Sequence, residues 1–267
     1  MFNKTERAET VNRPPSPDAE KGVPVAVLSG ARLSYPGIGG GGSDEAGEEV
    51  AVLRGIDMEI GAGEIVAVTG PSGSGKSSLI AVIGGLERPT GGEVKVLDID
   101  LTTAGEAART DLRRRNIGIV FQSFHLVPAM SALQNASLPL MLAGNFEAEA
   151  QAAKMLERVG LSHRLNHRPS ALSGGEQQRV AIARAFAAKP RLVLADEPTG
   201  NLDQATGDEV VGVMFDLVRE TGASMLLVTH DETLAARCDR TIAIDNGKVR
   251  DPVRGPIRGP IRGRVGP

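Results

Sequence analysis

A chain of 267 residues with 41% hydrophobic side chains carries enough apolar material for one large domain or two small ones with a full core. Its formal net charge of -3 excludes no class of partner, but the single cysteine, Cys238, excludes an intrachain disulfide and points to a reducing compartment. No stretch approaches the roughly 18 consecutive apolar residues of a membrane span, and Met1 to Lys21 lacks an apolar leader, so a soluble, cytoplasmic protein is expected, with any membrane role supplied by a partner.

Residues 1–22 mix charge, proline and serine without periodicity and are expected to be a disordered lead-in. From Val23 the pattern turns strand-like at Val25 and Val27 and closes on Leu33, Ser34 and Tyr35. The glycine-rich stretch Gly37 to Ser43 and the acidic run to Glu49 predict a flexible loop. Ile56-Asp57-Met58-Glu59-Ile60 alternates with the period of a strand. After a turn at Gly61-Ala62-Gly63, the apolar run Ile65-Val66-Ala67-Val68 leads into Gly70-Pro71-Ser72-Gly73-Ser74-Gly75-Lys76-Ser77-Ser78, and Leu79 to Ile83 follow as a helix. Strand, glycine-rich turn and helix in that order make a phosphate-binding loop. The glycines let backbone N–H groups converge on phosphate oxygens, and the helix aims the positive end of its dipole at the same point. The pattern assigns Lys76 to the β- and γ-phosphates and the Ser77 hydroxyl to Mg²⁺.

Beyond that helix, Glu93-Val94-Lys95-Val96 alternates behind Gly91-Gly92, and Arg113-Arg114-Arg115 reads as a solvated helix face. Ile117 to Phe121 is a strand ending on Gln122. Phe124 to Leu142 is apolar without a clear period and is broken by Pro128 and Pro139, whereas Glu147 to Val159 is helical with Gly160 as its stop. The region near residues 123–170 is therefore a helical insert in an otherwise α/β chain. The apolar side chains of Ser123 to Met141 lack the periodicity to fit one core, so some are expected to stay exposed as a partner groove, with Phe124, Leu126 and Met130 as candidates.

Leu172-Ser173-Gly174-Gly175-Glu176-Gln177-Gln178-Arg179 opens a helix to about Ala188, ended by Lys189-Pro190. Leu192 to Ala195 is a buried strand terminating in Asp196-Glu197, and Thr206 with Glu209 starts a helix through Val218 as a capping box. Ser224 to Val228 is one more strand, ending at Thr229-His230 with Asp231 as a helix cap, and Asn246-Gly247 marks a tight hairpin. From Arg250 the chain repeats Arg-Gly-Pro-Ile, so residues 251–267 read as a disordered tail behind a domain spanning 23–250.

A phosphate loop by itself says only nucleotide; hydrolysis also needs a metal anchor and a base. Strand ends in a parallel sheet converge on such a loop, which makes Asp196 the expected Mg²⁺ carboxylate, either direct or through one of the metal's own ligands, and Glu197 the group that orients and deprotonates an attacking water. His230, at another strand end, reads as a γ-phosphate sensor, and Gln122 as a neutral side chain able to touch Mg²⁺ or the water. Ser173 and Glu176 satisfy a capping box, yet Gly174 and Gly175 at an exposed helix start are also the makings of a second phosphate site. One chain cannot hold a single γ-phosphate against two helix ends without large movement, whereas two chains packed head to tail can.

The order Gly70 to Ser77, Gln122, Leu172 to Arg179, Asp196-Glu197, Gly200-Asn201-Leu202-Asp203 and His230 resembles the ATP-binding-cassette (ABC) ATPases over roughly residues 24–250. Ala195 to Asp203, Asn166-His167-Arg168-Pro169 and Phe121 to Pro128 are similar to the LolD, MacB and YbbA group within that family. The resemblance implies an α/β fold: a RecA-like P-loop NTPase core with an antiparallel β-subdomain and an α-helical subdomain. It implies that Tyr35 stacks on adenine, that Ser173, Gly174 and Gly175 meet the γ-phosphate held by the other protomer, and that Asp203 lies at the dimer seam. ATP and Mg²⁺ are the implied ligands. The implied partners are a second copy of the chain and a separate integral membrane permease, which would hold the subunit at the cytoplasmic face of the inner membrane and move lipid, lipoprotein or other hydrophobic cargo. No nucleic-acid partner is expected. Rival expectations are transport-free mechanical signalling, as in the similar FtsE type, and a soluble cassette acting on DNA or ribosomes.

Overall fold

A computed structural model describes residues 23–37 and 47–250. The expected lead-in, the middle of the glycine-rich loop (38–46) and the Arg-Gly-Pro tail lie outside the described residues. In chain order the elements are β1 (Ala26–Gly37), β2 (Gly47–Ile60), β3 (Ile65–Thr69), α1 (Lys76–Ile83), β4 (Gly91–Val96), β5 (Ile99–Asp100), α2 (Glu106–Asn116), β6 (Ile117–Phe121), α3 (Ala132–Leu142), α4 (Ala148–Arg158), α5 (Gly174–Ala187), β7 (Leu192–Asp196), α6 (Gln204–Thr221), β8 (Ser224–Val228), α7 (Glu232–Ala235), β9 (Arg240–Asp245) and β10 (Lys248–Val249).

Four strands make an antiparallel sheet in the order β2-β1-β4-β5. Leu28 and Leu33 of β1 and Leu53, Ile56, Met58 and Ile60 of β2 are buried together, because register breaks between Leu28 and Ala31 and between Ala31 and Arg32 shift the alternation so that odd and even positions share a face. The other sheet runs β10-β9-β3-β8-β7-β6, parallel from β9 to β6. β10 turns back through Asn246 and Gly247, at φ +48 and +74, the left-handed pair of a tight hairpin. β3, β7 and β8 are buried along nearly their whole length, as strands covered on both faces must be. Alternation divides their side chains between two cores. Leu192, Leu194 and Leu226 pack with Leu79 and Ile83 of α1, while Val193, Ala195 and Leu227 pack with Phe186 of α5 and Phe215 of α6.

The register aligns Phe121, Asp196, Val228 and Val68 in one row across the sheet. The residues that follow them, Gln122, Glu197, Thr229 and Thr69, therefore leave the sheet at one edge, where β3 delivers the chain to Gly70.

Between β6 and β7 the chain is helical, and α3, α4 and α5 pack on one another. α3 is longer than its prolines suggest, because Pro139 sits inside it. An internal proline costs about 3 kcal/mol. Against that, Ala132, Ala136 and Leu140 lie buried on one face at four-residue spacing, burial of a leucine alone contributes about 1.5–3 kcal/mol, and a capping box of Ser131 and Gln134 fixes the start. The exposed apolar side chains also fall elsewhere than expected. Phe124, Leu126 and Met130 are half-buried, Leu126 against the main core, and the exposed ones are Met141, Leu142 and Phe146.

α6 starts at Gln204, ahead of the expected Thr206, because Asp203 is its cap: the carboxylate accepts from the Thr206 N–H at 3.1 Å. On α2, Arg113 pairs with Glu106, and Arg114 and Arg115 with Asp111. No helix among the described residues is long and apolar enough to cross a membrane.

Candidate active site

The phosphate loop joins β3 to α1 through Gly70, Gly73 and Gly75, at φ +148, +76 and +102. A Cβ on Gly70 would collide with the carbonyl oxygen of Ile244, and one on Gly75 would sit 3.0 Å from Leu53 Cδ2, so conformation and space both demand glycine. Gly75 caps α1 without any side-chain hydrogen bond, which leaves the first N–H groups of the helix free of a side-chain acceptor. Pro71, Ser72, Gly73 and Ser77 open to solvent, whereas Ser74, Gly75 and Lys76 are buried and Ser78 is half-buried.

The Lys76 ammonium is held by the loop itself, donating to Gly70 O at 2.9 Å and Pro71 O at 2.8 Å, and it makes no ion pair among the described residues. Ser74 Oγ is buried with no hydrogen-bond partner among the described residues. A buried cation, unused helix N–H groups and an orphaned hydroxyl around one glycine-rich turn fit a polyphosphate.

Beside the loop, burial pushes the Asp196 carboxyl up. The nearby Ser77 hydroxyl and the charge of Lys76 pull the other way, the charge of Glu197 adds to the rise, and the net direction is upward. A half-buried carboxylate against a hydroxyl is a hard-oxygen donor pair that a divalent cation would relieve. The described residues hold no cluster of three or more metal-ligating side chains. Such a cation would complete its shell with phosphate and water, the ordinary arrangement for Mg²⁺.

The other expected residues gather at the same sheet edge. Glu197, at φ +44, donates its N–H to Val228 O at 3.0 Å, and its Oε2 lies 3.5 Å from Nδ1 of the exposed His230. Gln122 Nε2 donates to Asn201 Oδ1 at 3.4 Å, and Asn201 Nδ2 returns a bond to Gln122 O at 3.0 Å. Gly200 is needed for clearance, since a Cβ there would lie 2.6 Å from Gln122 Nε2. Asn201 as a partner of Gln122 was not foreseen; its position in Gly200 to Asp203 was the only signal.

Tyr35 is exposed on β1, opposite Val50 of β2. Two residues further along β2, the carbonyl of Val52 would meet a Cβ on Gly75, which places this sheet against the phosphate loop.

Ser173, Gly174 and Gly175 stand apart from that loop. Ser173 and Glu176 form a full capping box, with bonds of 3.2 and 2.8 Å. A Cβ on Gly174 would press Leu202, and one on Gly175 would strike Thr206. The start of α5 therefore abuts the segment around Asp203, while the neighbours of the phosphate loop are Val52, Leu53 and Ile244.

The family model described as ABC transporter matches residues 53–200, more than half of the chain. The chain belongs to this family. It is 47% identical over 205 residues to the uncharacterized ABC transporter ATP-binding protein YbbA of Escherichia coli K12, covering 76% of this chain and 90% of that protein. It is 48% identical over 226 residues to the lipoprotein-releasing system ATP-binding protein LolD 2 of Caulobacter vibrioides, covering 84% and 96%. A dimeric structure of the ATP-binding cassette MJ0796 in a post-hydrolysis state bound to ADP and Pi matches with a TM-score of 0.77 at 36% identity, covering 88% of this chain and 99% of that one. This ABC protein is thus the ATP-binding, ATP-hydrolysing subunit of a transporter, and its two sheets are those of the ABC ATPase fold.

Proposed function

We propose that this cassette works as a head-to-tail homodimer around two ATP with Mg²⁺, and that it drives a separate integral membrane permease from the cytoplasmic face of the inner membrane. Its cargo is lipid, lipoprotein or another hydrophobic molecule. The observation that carries the nucleotide half is Lys76, a buried ammonium that, among the described residues, holds only the carbonyls of its own loop. Lys76 and the α1 N–H groups bind the β- and γ-phosphates, while Tyr35 stacks on the base. Ser77, Asp196 and Gln122 would hold Mg²⁺, which when bound would neutralise charge developing on the phosphates. Glu197 takes a proton from the water that attacks the γ-phosphorus as the bond to ADP breaks, and His230, within reach of Glu197, contacts the γ-phosphate. Ser173, Gly174 and Gly175 face the partner's ATP, with Asp203 at the seam. A homodimer is supported by the dimeric MJ0796 structures, and hydrophobic cargo by the names of the lipoprotein-releasing relatives.

The permease is tested by solubilising membranes in mild detergent and purifying the tagged cassette. Recovery with a stoichiometric integral membrane polypeptide, in a complex whose ATP turnover releases lipid or lipoprotein from vesicles, is the expected result. A cassette found only in the cytosolic fraction, without a membrane partner, overturns the proposal.

A further inference from the structure

Two side chains of α5 grip the loop that carries Gln122, and the chemistry assigned so far uses neither. Arg184 is half-buried and has no carboxylate partner among the described residues, and burial pulls its ionisation down. Its guanidinium instead donates to two backbone carbonyls, Nη1 to His125 O at 2.6 Å and Nη2 to Phe124 O at 2.8 Å. Phe124 and His125 are consecutive non-glycine residues at φ +58 and +48, a region that L side chains rarely adopt. Such a segment persists only where its surroundings over-determine it. Further towards the start of α5, Gln178 is fully buried, and its Nε2 donates to Pro198 O at 2.6 Å and Phe121 O at 3.4 Å. Gln122 therefore sits between two points held by one helix, the carbonyl of Phe121 before it and those of Phe124 and His125 after it.

We propose that Arg184 is a positioning residue for ATP hydrolysis. Its fork fixes the strained turn at Phe124 and His125, and that turn sets where Gln122 points. The inference rests on the reading of Gln122 as a contact to Mg²⁺ or the attacking water. A charge-assisted bond to each of two carbonyls needs the planar fork of arginine, and lysine supplies only a point charge. Because α5 begins at Ser173, displacement of its phosphate-facing end moves Gln122 with it.

Four variants answer the proposal: Arg184→Met, Arg184→Lys, Gln122→Ala, and Arg184→Met with Gln122→Ala. Each is measured for kcat and KM for ATP, thermal midpoint, and amide hydrogen exchange over residues 122–130. Gln122→Ala and Arg184→Met are each expected to lower kcat by roughly tenfold or more, the loss typical of a hydrogen bond to a charged group, with KM little changed. The double variant is no slower than Gln122→Ala alone, because Arg184 acts through Gln122. Arg184→Met also speeds exchange over 122–130, and Arg184→Lys falls between it and the parent. If Arg184→Met does not fold, Arg184→Lys carries the same comparisons. Unchanged exchange, or losses that multiply in the double variant, overturns the proposal. Parental turnover in Gln122→Ala overturns the reading of Gln122 instead, and faster exchange in Arg184→Met then still leaves Arg184 as the residue that holds the turn.

Discussion

Glu197 holds a left-handed backbone that is pinned on both sides, its N–H donating to Val228 O and its carbonyl accepting from the Gly200 N–H, each at 3.0 Å. A non-glycine residue in that region costs roughly 1–3 kcal/mol, and such costs collect where a side chain must be aimed. Glutamine matches glutamate in size and would keep the same backbone, but it cannot take a proton. Glu197→Gln is therefore expected to bind ATP as the parent does while kcat falls by roughly 10² to 10⁴. Stopped-flow binding with steady-state turnover measures both, and normal turnover would move the base elsewhere. Asp196 and Glu197 were readable in the chain because they close an apolar strand, and Lys76 because it ends the glycine-rich turn that follows one, so the local pattern carries each position. Asn201 and Arg184 were not readable: Asn201 meets Gln122 across 79 residues of sequence, and Arg184 meets His125 across 59. Spacing carries no trace of a bond between segments so far apart in the chain.

Elements with a strict period were the legible ones, and those governed by a neighbour were not. β3, β7 and β8 announce themselves as apolar runs, but the row that aligns Phe121, Asp196, Val228 and Val68 exists only once the strands have paired. α3 outlasts Pro139 for the same reason, since the face it buries belongs to a core built by α4 and α5. A long-range tie of this kind also holds β3. Burial would raise the Glu64 carboxyl, but bonds from Arg240 at 2.9 and 3.2 Å and from the Gly61 N–H at 2.8 Å, together with the charge of Arg240, outweigh it and hold the group below the usual carboxylate range. A lowered value means that the tie stabilises fully above the unfolded-state pKa, about 4.3, and fades as pH falls through the folded one. Glu64→Gln should melt below the parent at pH 7, and the gap should close as pH drops below about 4.3. A gap that stays constant across that window would mean that the ionised carboxylate is not its source.

At the scale of the whole molecule the decisive fact is that the glycine-rich starts of α1 and α5 lie against different neighbours. The start of α1 lies by Val52, Leu53 and Ile244, and the start of α5 lies by Leu202 and Thr206. In a head-to-tail dimer each nucleotide site takes its phosphate loop from one chain and Ser173 from the other. Chains bearing Ser173→Arg, mixed with chains bearing Lys76→Ala, distinguish this from any site completed within one chain. In the mixed dimer one site joins an intact phosphate loop to an intact Ser173, and the other site receives both lesions. One occluded ATP per dimer is therefore expected from the mixture, against none from either parent variant alone. If each chain completed its own site, every site in the mixture would carry one lesion and no ATP would be held. Retention of radiolabelled ATP on differently tagged, co-purified chains reads the outcome, and a mixture that traps none would leave the two helix starts without a common phosphate.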